Sequence, residues 1–416
     1  MVICVFEDSG VENLGPLTST RPAYGLLCGT STLLQKILQA SREQAPAHLF
    51  TRPYLAGVVR ESFQRLPVNE VPQDEELLLV NGCMVVDEVS AEALRSLKKG
   101  ETLTVNGRVA AAKVDGRSLQ AEFFNSLMGG EVESTLKRVV KVWREASEVK
   151  LVGRPWDLVE LSASLVGSEV LGKPANHPNS LGRVYVGEDV DLSPQAFIDG
   201  RKGPVVLDNG STVEPFCKLV GPIYVGVGSV VLSGSVVVGS CIGPVCKVGG
   251  EVDSSVIMGY SNKRHYGFLG HSVVGEWVNF GAGTTVSNLK NTYGTFKPRV
   301  GGTRVDSGRV FMGSFFGDHV KTSIGCMVSG GLSIGVCSHL YREVNTDVPA
   351  FTIHTPSAKT ELYLDSAITT AKRMMARRDK APTETYVMML ETLFKMTHEE
   401  RRRLGVKPGK ASFYNS

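Results

Sequence analysis

No run of 18 or more apolar residues occurs in these 416 residues, so no transmembrane helix is expected. The opening Met-Val-Ile-Cys-Val-Phe-Glu-Asp has no basic stretch ahead of an apolar core, so no secretory signal is expected. Neither sign of charge dominates: 45 Lys plus Arg face 42 Asp plus Glu, a formal net charge of +3. That balance leaves no electrostatic footprint for nucleic acid. The eight cysteines include no Cys-x-x-Cys pair, and so few in a long chain are not a disulfide scaffold. Reduced, mostly buried thiols in a cytoplasmic protein are expected instead. A composition 42% hydrophobic and 21% charged excludes intrinsic disorder.

Glycine is in excess. There are 45 glycines against roughly 29 at average usage, and they are unevenly spread. The length predicts two or three domains and a core that needs no staples. Residues 1 to about 160 alternate between strand-like and helix-like runs. Val2–Phe6 is a short β-branched apolar strand, followed by a polar loop from Glu7 to Pro22. A helix is predicted from Ser31, with Ser31 or Thr30 as its N-cap. Glu76–Val80 reads as a strand closed by Asn81-Gly82, and Ser90–Lys99 as a helix closed by Gly100. The alternation predicts a mostly parallel sheet. Residues 131–170 read as helical around Trp143 and Trp156, and Lys173–Asn179 as a linker.

From Arg183 to about His339 the chain changes character. Val230, Val236, Ile242 and Val248 are spaced by six, as are Val274, Phe280 and Val286. Val310 and Phe316 keep the step, and Met312 and Ile324 double it. Gly follows Ile242, Val248, Val274, Phe280, Met312, Ile324 and Ile334. An aliphatic residue every six with an adjacent Gly is the hexapeptide β-helix signature. Three short strands make one triangular coil, the aliphatic residue points inward, and Gly permits the tight corner. There is room for roughly seven to nine coils of about 18 residues. An antiparallel sandwich needs period two instead. Beyond about 360, Glu361–Arg378 and Thr383–Leu404 read as basic helices with an apolar face docked on the body.

Function on such a prism is expected where the repeat breaks, between Val248 and Val274 and from Ser287 to Val310. The first stretch holds His265 and His271. An imidazole takes a proton near neutral pH, or caps a coil. The second holds Asn288, Asn291 and Lys297, suited to a phosphate or an amide, or to a solvated loop.

The stretch Gly267-Phe-Leu-Gly-His-Ser-Val-Val-Gly-Glu-Trp-Val-Asn-Phe-Gly-Ala-Gly-Thr-Thr-Val-Ser-Asn-Leu-Lys-Asn-Thr-Tyr-Gly294 closely resembles the acetyltransferase half of bifunctional UDP-N-acetylglucosamine diphosphorylase/glucosamine-1-phosphate N-acetyltransferases. The likeness is to a divergent bacterial branch of sugar nucleotidyltransferases. The segments Phe6-Glu-Asp, Asn13-Leu-Gly-Pro-Leu-Thr-Ser-Thr-Arg-Pro22, Arg154-Pro-Trp-Asp-Leu-Val159 and Gly317-Asp-His-Val-Lys-Thr-Ser-Ile-Gly325 look like that branch too.

The resemblance implies His265, four residues before Leu269-Gly270, as the general base that deprotonates the sugar amine attacking acetyl-CoA. His271 stands where more familiar members carry Asp. Asn279 matches a sugar contact, Asn288 a residue beside the reacting amine, and Lys297 a Lys near the sugar phosphate. Ala282 and Ser314 match contacts to the coenzyme A arm. A homotrimer with sites between subunits is implied. Two departures stand out. The familiar enzymes hold the sugar phosphate with Arg and Lys on preceding coils, where this chain offers only Lys247. The nucleotidyltransferase loop Gly-x-Gly-Thr-Arg is replaced by Glu12-Asn-Leu-Gly-Pro-Leu-Thr-Ser-Thr-Arg21. Asn13 and Thr18 would be its donors and Arg21 its phosphate cation, with Asp8 or Asp87 for Mg²⁺. Leu27 and Cys83 occupy positions where that branch is expected to carry Arg.

The expected fold class is α/β plus all-β. A Rossmann-like nucleotidyltransferase domain (1–175) precedes a left-handed parallel β-helix (176–355) and a helical tail (356–416). The expected function is sugar-nucleotide biosynthesis. It combines acetyl-CoA-dependent acetyl transfer to a hexosamine-1-phosphate or nucleotide sugar with nucleotidyl transfer from a nucleoside triphosphate, using Mg²⁺. The other reading is a non-catalytic trimeric scaffold or sugar-nucleotide sensor. No nucleic-acid or membrane partner is expected. Apart from Lys297, the 295–309 insert reads as a lid or as a solvated loop.

Overall fold

The structure, a computed structural model, describes residues 1–40, 46–72, 76–119, 121–170 and 181–409. The linker expected at 173–179 and the boundary expected at 175/176 lie outside them. Two compact units form, dividing at Arg154/Pro155, with Gly15–Ser19 and Leu27–Thr30 belonging to the second.

The first unit is built on strands β1 (Val2–Phe6), β2 (Ala47–Leu49), β3 (Glu76–Asn81), β4 (Glu101–Val105), β5 (Arg108–Asp115) and β6 (Val142–Glu145). Their order is β2-β1-β3-β5-β4-β6. β1 pairs parallel with β2 and β3, but β5 is antiparallel to both β3 and β4. β4 pairs parallel with β6, so the sheet is mixed, three of its five pairings parallel as expected and the two made by β5 antiparallel. The reason is local: Asn106-Gly107, both in the left-handed region, close a tight hairpin that no helical crossover interrupts. Trp143 lies on β6 rather than on a helix. Helix α1 (Leu33–Ala40) starts later than expected. Thr32, not Ser31, caps it, accepting from the Gln35 amide at 3.3 Å while Gln35 accepts from Thr32 N at 2.8 Å. Likewise Ser90 is the third residue of its helix (Glu88–Ser96), and Asp87 is the N-cap in a capping box.

The second unit is a left-handed parallel β-solenoid of about ten turns, followed by helices Leu364–Ala376, Glu384–Met396 and His398–Arg403. Two-residue and three-residue strands stack in parallel register, for example Val256↔Val273 and Val273↔Phe315. The interior is one column of aliphatic and aromatic side chains, including Val231, Val237, Ile242, Val248, Val274, Phe280, Val286 and Phe316. The inward residues are thus Val231 and Val237, one position beyond Val230 and Val236. Ile324 is 78% exposed and Val310 39% exposed, so neither points inward. The stretch read as a break after Val248 is continuous solenoid, with Val252, Ile257 and Leu269 inside. The other break is real, because the chain leaves the solenoid after Val286 and rejoins it at Phe315.

The glycines act differently from expectation. Of those following Ile242, Val248, Val274, Phe280, Met312, Ile324 and Ile334, only Gly325 has a positive φ, at 64°. The others sit where stacked backbone comes close; a Cβ on Gly281 would meet the Ser323 carbonyl group at 2.5 Å. Left-handed positions are shared between other glycines, such as Gly228 and Gly283, and the non-glycine residues Val245, Tyr260, Trp277, His319, Cys337 and Phe351, the latter with φ between 56° and 62°. Their strain is offset by coil-to-coil hydrogen bonds such as Tyr260 N to Pro244 O at 2.9 Å.

Helix Pro155–Glu169 also belongs to the second unit and runs against strands Ile223–Val225, Val256–Ile257 and Val273–Val274. The C-terminal helices dock on the solenoid as expected. Phe351 meets Phe394 edge to face at 5.1 Å, and the buried Arg401 lies over the Phe394 ring and pairs with Glu361 at 2.9 Å. All eight cysteines are buried thiols. No helix among the described residues is long and apolar enough to cross a membrane.

Phe316 is fully buried and packs edge to face on Phe280 at 5.1 Å. Phe316→Ala is expected to cost about 3–5 kcal/mol, read as a lower urea midpoint for the solenoid transition. A loss under about 1 kcal/mol would contradict this account of the core.

Candidate functional site

In the first unit β1 and β3 end side by side, Phe6 opposite Asn81. Open α/β sheets bind ligands beyond the carboxyl ends of such strands. Glu7 and Asp8 leave β1 there, both buried. Arg108 grips Asp8 with two prongs, Nε to Oδ2 at 2.9 Å and Nη2 to Oδ1 at 2.8 Å. Asn81 Nδ2 donates to Asp8 at 3.0 Å. Arg52 donates to both Glu7 oxygens at 3.2 Å. The Ala23 amide and Thr51 hydroxyl donate to Glu7 as well, at 2.8 and 3.1 Å. Sequence reading missed both arginines, because Arg108 and Asp8 are 100 residues apart and no local motif joins them. Burial, then Glu7, pushes the Tyr24 hydroxyl well up. Burial pushes the Cys83 thiol to about 12, so it is not a nucleophile near neutral pH.

A magnesium ion finds no fitting donor set here. Asp8 is taken by Arg108 and Asn81, and Asp87 caps its helix through the Ser90 amide at 2.9 Å. Among the described residues no group of three or more His, Cys, Asp or Glu is gathered to hold a metal. Asn13 and Arg21 are half-buried in the first unit, whereas the buried Thr18 falls to the second.

In the second unit, strand Phe268–Gly270 separates the two histidines. His265 precedes it, exposed in a turn with Arg264 and Tyr266. His271 follows it at a left-handed corner, φ 48°. The structure joins Asn288 to His271, not to His265: Asn288 Nδ2 lies 2.9 Å from His271 Nδ1. Nδ1 is then the acceptor and Nε2 carries the proton. The His271 ring stacks on Phe311 at 5.4 Å. Burial lowers its pKa, against a weaker pull from Asp253, and keeps it neutral.

Lys263 was not singled out by sequence reading. It occupies an inward position beside Val248, 4% exposed, where the column is otherwise mostly aliphatic. Its Nζ donates to the carbonyls of Gly249 at 2.6 Å, Gly267 at 2.8 Å and His265 at 3.2 Å. Three carbonyls satisfy its three protons, and two of them belong to the turn that carries His265. The turn is thus pinned from inside. Burial lowers the Lys263 pKa to about 8, opposed only by Glu251. This lysine is also why the six-residue period looked broken.

Lys247, Asn262, Asn279, Lys321 and His339 take successive register positions on one face. Lys321 is spent on the carbonyls of Trp277 and His319, at 2.8 and 2.9 Å. The Ala282 carbonyl accepts from the Gly325 amide at 2.7 Å, at the corner shared with Tyr266. Ser314 is buried in a column of serines. Its hydroxyl donates to the Ser329 carbonyl at 2.7 Å and accepts from the Leu332 amide at 3.1 Å. That hydroxyl is used inside the coil and does not reach outward. Lys297 lies in the insert and pairs with Asp306 at 3.6 Å. The insert is ordered: Phe296, Val300 and Ser307 are buried. With Lys290, Arg299, Arg304 and Lys359 it lines a cavity of about 430 Å³.

Residues 3–168 match the sugar nucleotidyl transferase family. Beyond that, the chain is similar to a bifunctional sugar-1-phosphate nucleotidylyltransferase/acetyltransferase of Sulfurisphaera tokodaii. The two are 33% identical over 206 residues, 47% of this chain and 46% of that protein. It is similar to the bifunctional protein GlmU of Methanocaldococcus jannaschii, 27% identical over 222 residues, 49% of this chain and 48% of the other. The GlmU of Stenotrophomonas maltophilia is 31% identical over 172 residues, 35% of this chain and 37% of the other. The chain spans about half the length, or less, of these relatives.

Lys263 titrates near 8 when folded, against an ordinary 10.5. Between those values the unfolded chain holds the proton that the folded one has released, so this residue's contribution to stability rises with pH. Relative to Lys263→Met, the wild type is expected to gain unfolding free energy from about pH 8 to pH 10, measured by paired urea titrations. A flat difference would show that Lys263 is not desolvated.

Proposed function

We propose that the solenoid is an acetyl-CoA-dependent acetyltransferase on a hexosamine-1-phosphate or nucleotide sugar, with His265 as general base. Residues 3–168 would supply sugar-1-phosphate nucleotidyl transfer, giving a bifunctional enzyme of nucleotide-sugar synthesis, as the relatives are named. The observation that carries the reading is the His265 turn. It presents an exposed imidazole, is fixed from within by Lys263, and lies beside the corner of Ala282.

The chemistry is a proton relay. Neutral His265 takes the proton of the acceptor amine as its nitrogen forms a bond to the thioester carbonyl carbon. The carbon–sulfur bond then breaks and the thiol leaves with a proton. Asn279 is the sugar contact and Asn288, held by His271, the amine contact. Lys247 faces the acceptor phosphate, and Lys297 is a weaker candidate for it.

A homotrimer belongs to the proposal. Within one chain His265 and the His271–Asn288 pair stand at opposite ends of a strand about 10 Å long. Phe216, Tyr266, Ile324 and Met327, on the His265 side, are 71%, 74%, 78% and 52% exposed. Apolar surface of this kind favours burial by a copy of the chain. The buried thiols fit a reducing, cytoplasmic location. For the first unit, binding without turnover has one observation in its favour: both carboxylates at the β1 edge are held by arginines.

Thiol release from acetyl-CoA with glucosamine-1-phosphate is expected from wild type and lowered by about 10² or more in His265→Ala. Sedimentation is expected to give a trimer. A well-folded trimer that releases no thiol with any hexosamine phosphate or nucleotide sugar would sink the acetyltransferase reading. A monomer would sink the shared site.

A further inference from the structure

Beside the His265 turn, positive charge converges from two distant parts of the second unit. Lys247 and Asn262 are register neighbours on one face of the solenoid, and Arg264 follows Asn262 by two residues. Arg377 and Arg378 end the helix Leu364–Ala376. Arg378 Nη2 donates to Asn262 Oδ1 at 2.8 Å, across 116 residues of sequence. This bond places the guanidinium on the ladder of Lys247, Asn262 and Asn279. Its Nη1 donates to the Arg377 carbonyl at 3.1 Å, and its Nε is buried with no hydrogen-bond partner. Burial lowers the Lys247 pKa, and the charges of Arg378, Arg264 and Arg377 lower it further, so the four cations feel one another.

None of the four forms an ion pair among the described residues. The carboxylate that senses Arg264 is Glu214. It is already spent on the Ser233 amide and hydroxyl, both at 2.8 Å. Four like charges held together without an ion pair repel one another. Such clusters attract anions, and the arginine fork matches phosphate oxygens in pairs. The preceding coils carry only Lys247 where an acceptor phosphate would need cations. The tail helix read only as a basic helix docked by its apolar face.

We propose that Arg377 and Arg378, with Lys247 and Arg264, bind the phosphate monoester of a substrate beside His265, the tail helix supplying the cations that the preceding coils lack. Placing that phosphate next to a reacting amine rests on the acetyl-transfer reading; the anion site itself does not.

Isothermal titration tests it. The ligands are inorganic phosphate, glucosamine-1-phosphate, glucosamine, coenzyme A and dephospho-coenzyme A. The proteins are wild type, Arg377→Gln/Arg378→Gln, and the exposed tail-helix control Arg373→Gln. The double variant is expected to bind inorganic phosphate and glucosamine-1-phosphate about tenfold or more weaker, with glucosamine little changed and the control like wild type. Weakened glucosamine-1-phosphate assigns the site to the acceptor. Weakened coenzyme A with unchanged dephospho-coenzyme A assigns it to the 3′-phosphate. Either result upholds a monoester site. Wild-type binding of every phosphate by the double variant overturns it.

Asn262→Ala breaks the tie to Arg378 while keeping all four charges. If it weakens binding as much as the double variant does, helix docking rather than charge is responsible, and the proposal falls. Should the double variant unfold, Arg377→Gln alone carries the test, because Arg377 is exposed and its side chain makes no hydrogen bond among the described residues. Absent thiol release with phosphate binding intact would sink the acetyltransferase reading and leave this site standing. Thiol release with unchanged phosphate binding in the variants would do the reverse.

Discussion

Coil-to-coil hydrogen bonding in parallel register, backbone to backbone along the strands and completed at the corners by buried hydroxyls such as those of Ser229, Ser240, Ser255 and Ser261, is the constraint on which the second unit depends. Most solenoid strands are only two or three residues long, so no coil satisfies its own amides and carbonyls. They are satisfied by the coils above and below, as in Lys247 N to Ser261 O at 3.1 Å and Asn262 N to Val278 O at 2.8 Å. Parallel register then stacks like positions. Inward positions make the aliphatic column, and outward positions make ladders. Lys247, Asn262 and Asn279 are neighbours for that reason, although 15 and 17 residues separate them. The same register demands glycine where stacked turns touch, as at Gly281 against Ser323.

A lysine inside such a column costs solvation that its surroundings must return. Lys263 recovers it from three carbonyls rather than from a carboxylate, and two of those carbonyls shape the His265 turn. A valine at this position would fill the column equally well and leave the turn unheld. The buried charge therefore does local work in shaping the surface that a hydrophobic residue would not do.

The two candidate sites treat charge in opposite ways. In the first, Glu7 and Asp8 are each matched by an arginine, and Asn81 completes the set. That edge is closed electrostatically as it stands. In the second, Lys247, Arg264, Arg377 and Arg378 are gathered with no ion pair among the described residues. The near-zero net charge of the whole chain conceals both arrangements, since pairing and segregation cancel equally in a sum.

The six-residue period and the glycine excess announced the solenoid, because a stacked architecture repeats its constraint in every coil and a repeated constraint leaves a periodic trace. Its register was one residue off at Val230 and Val236. Adjacent valines are chemically alike, and only the pleat decides which faces in. The first unit was legible as alternating strands and helices but not as a mixed sheet. Local apolar patterning is the same for either strand direction, and the Asn106-Gly107 hairpin decided it. His265, Asn279 and Asn288 stood out through a contiguous stretch with a recognisable likeness. Lys263 did not, since a lone lysine in a repeat looks like an interruption. The partners Arg52, Arg108 and Arg378 were invisible for a simpler reason. Each meets its partner across 45, 100 or 116 residues, and no local spacing encodes such a meeting. The sequence by itself determined the repeat, the classes of the two units and the chemistry available. Tertiary structure alone decided which cations meet which anions, because that depends on where the folded chain returns and not on what lies beside it.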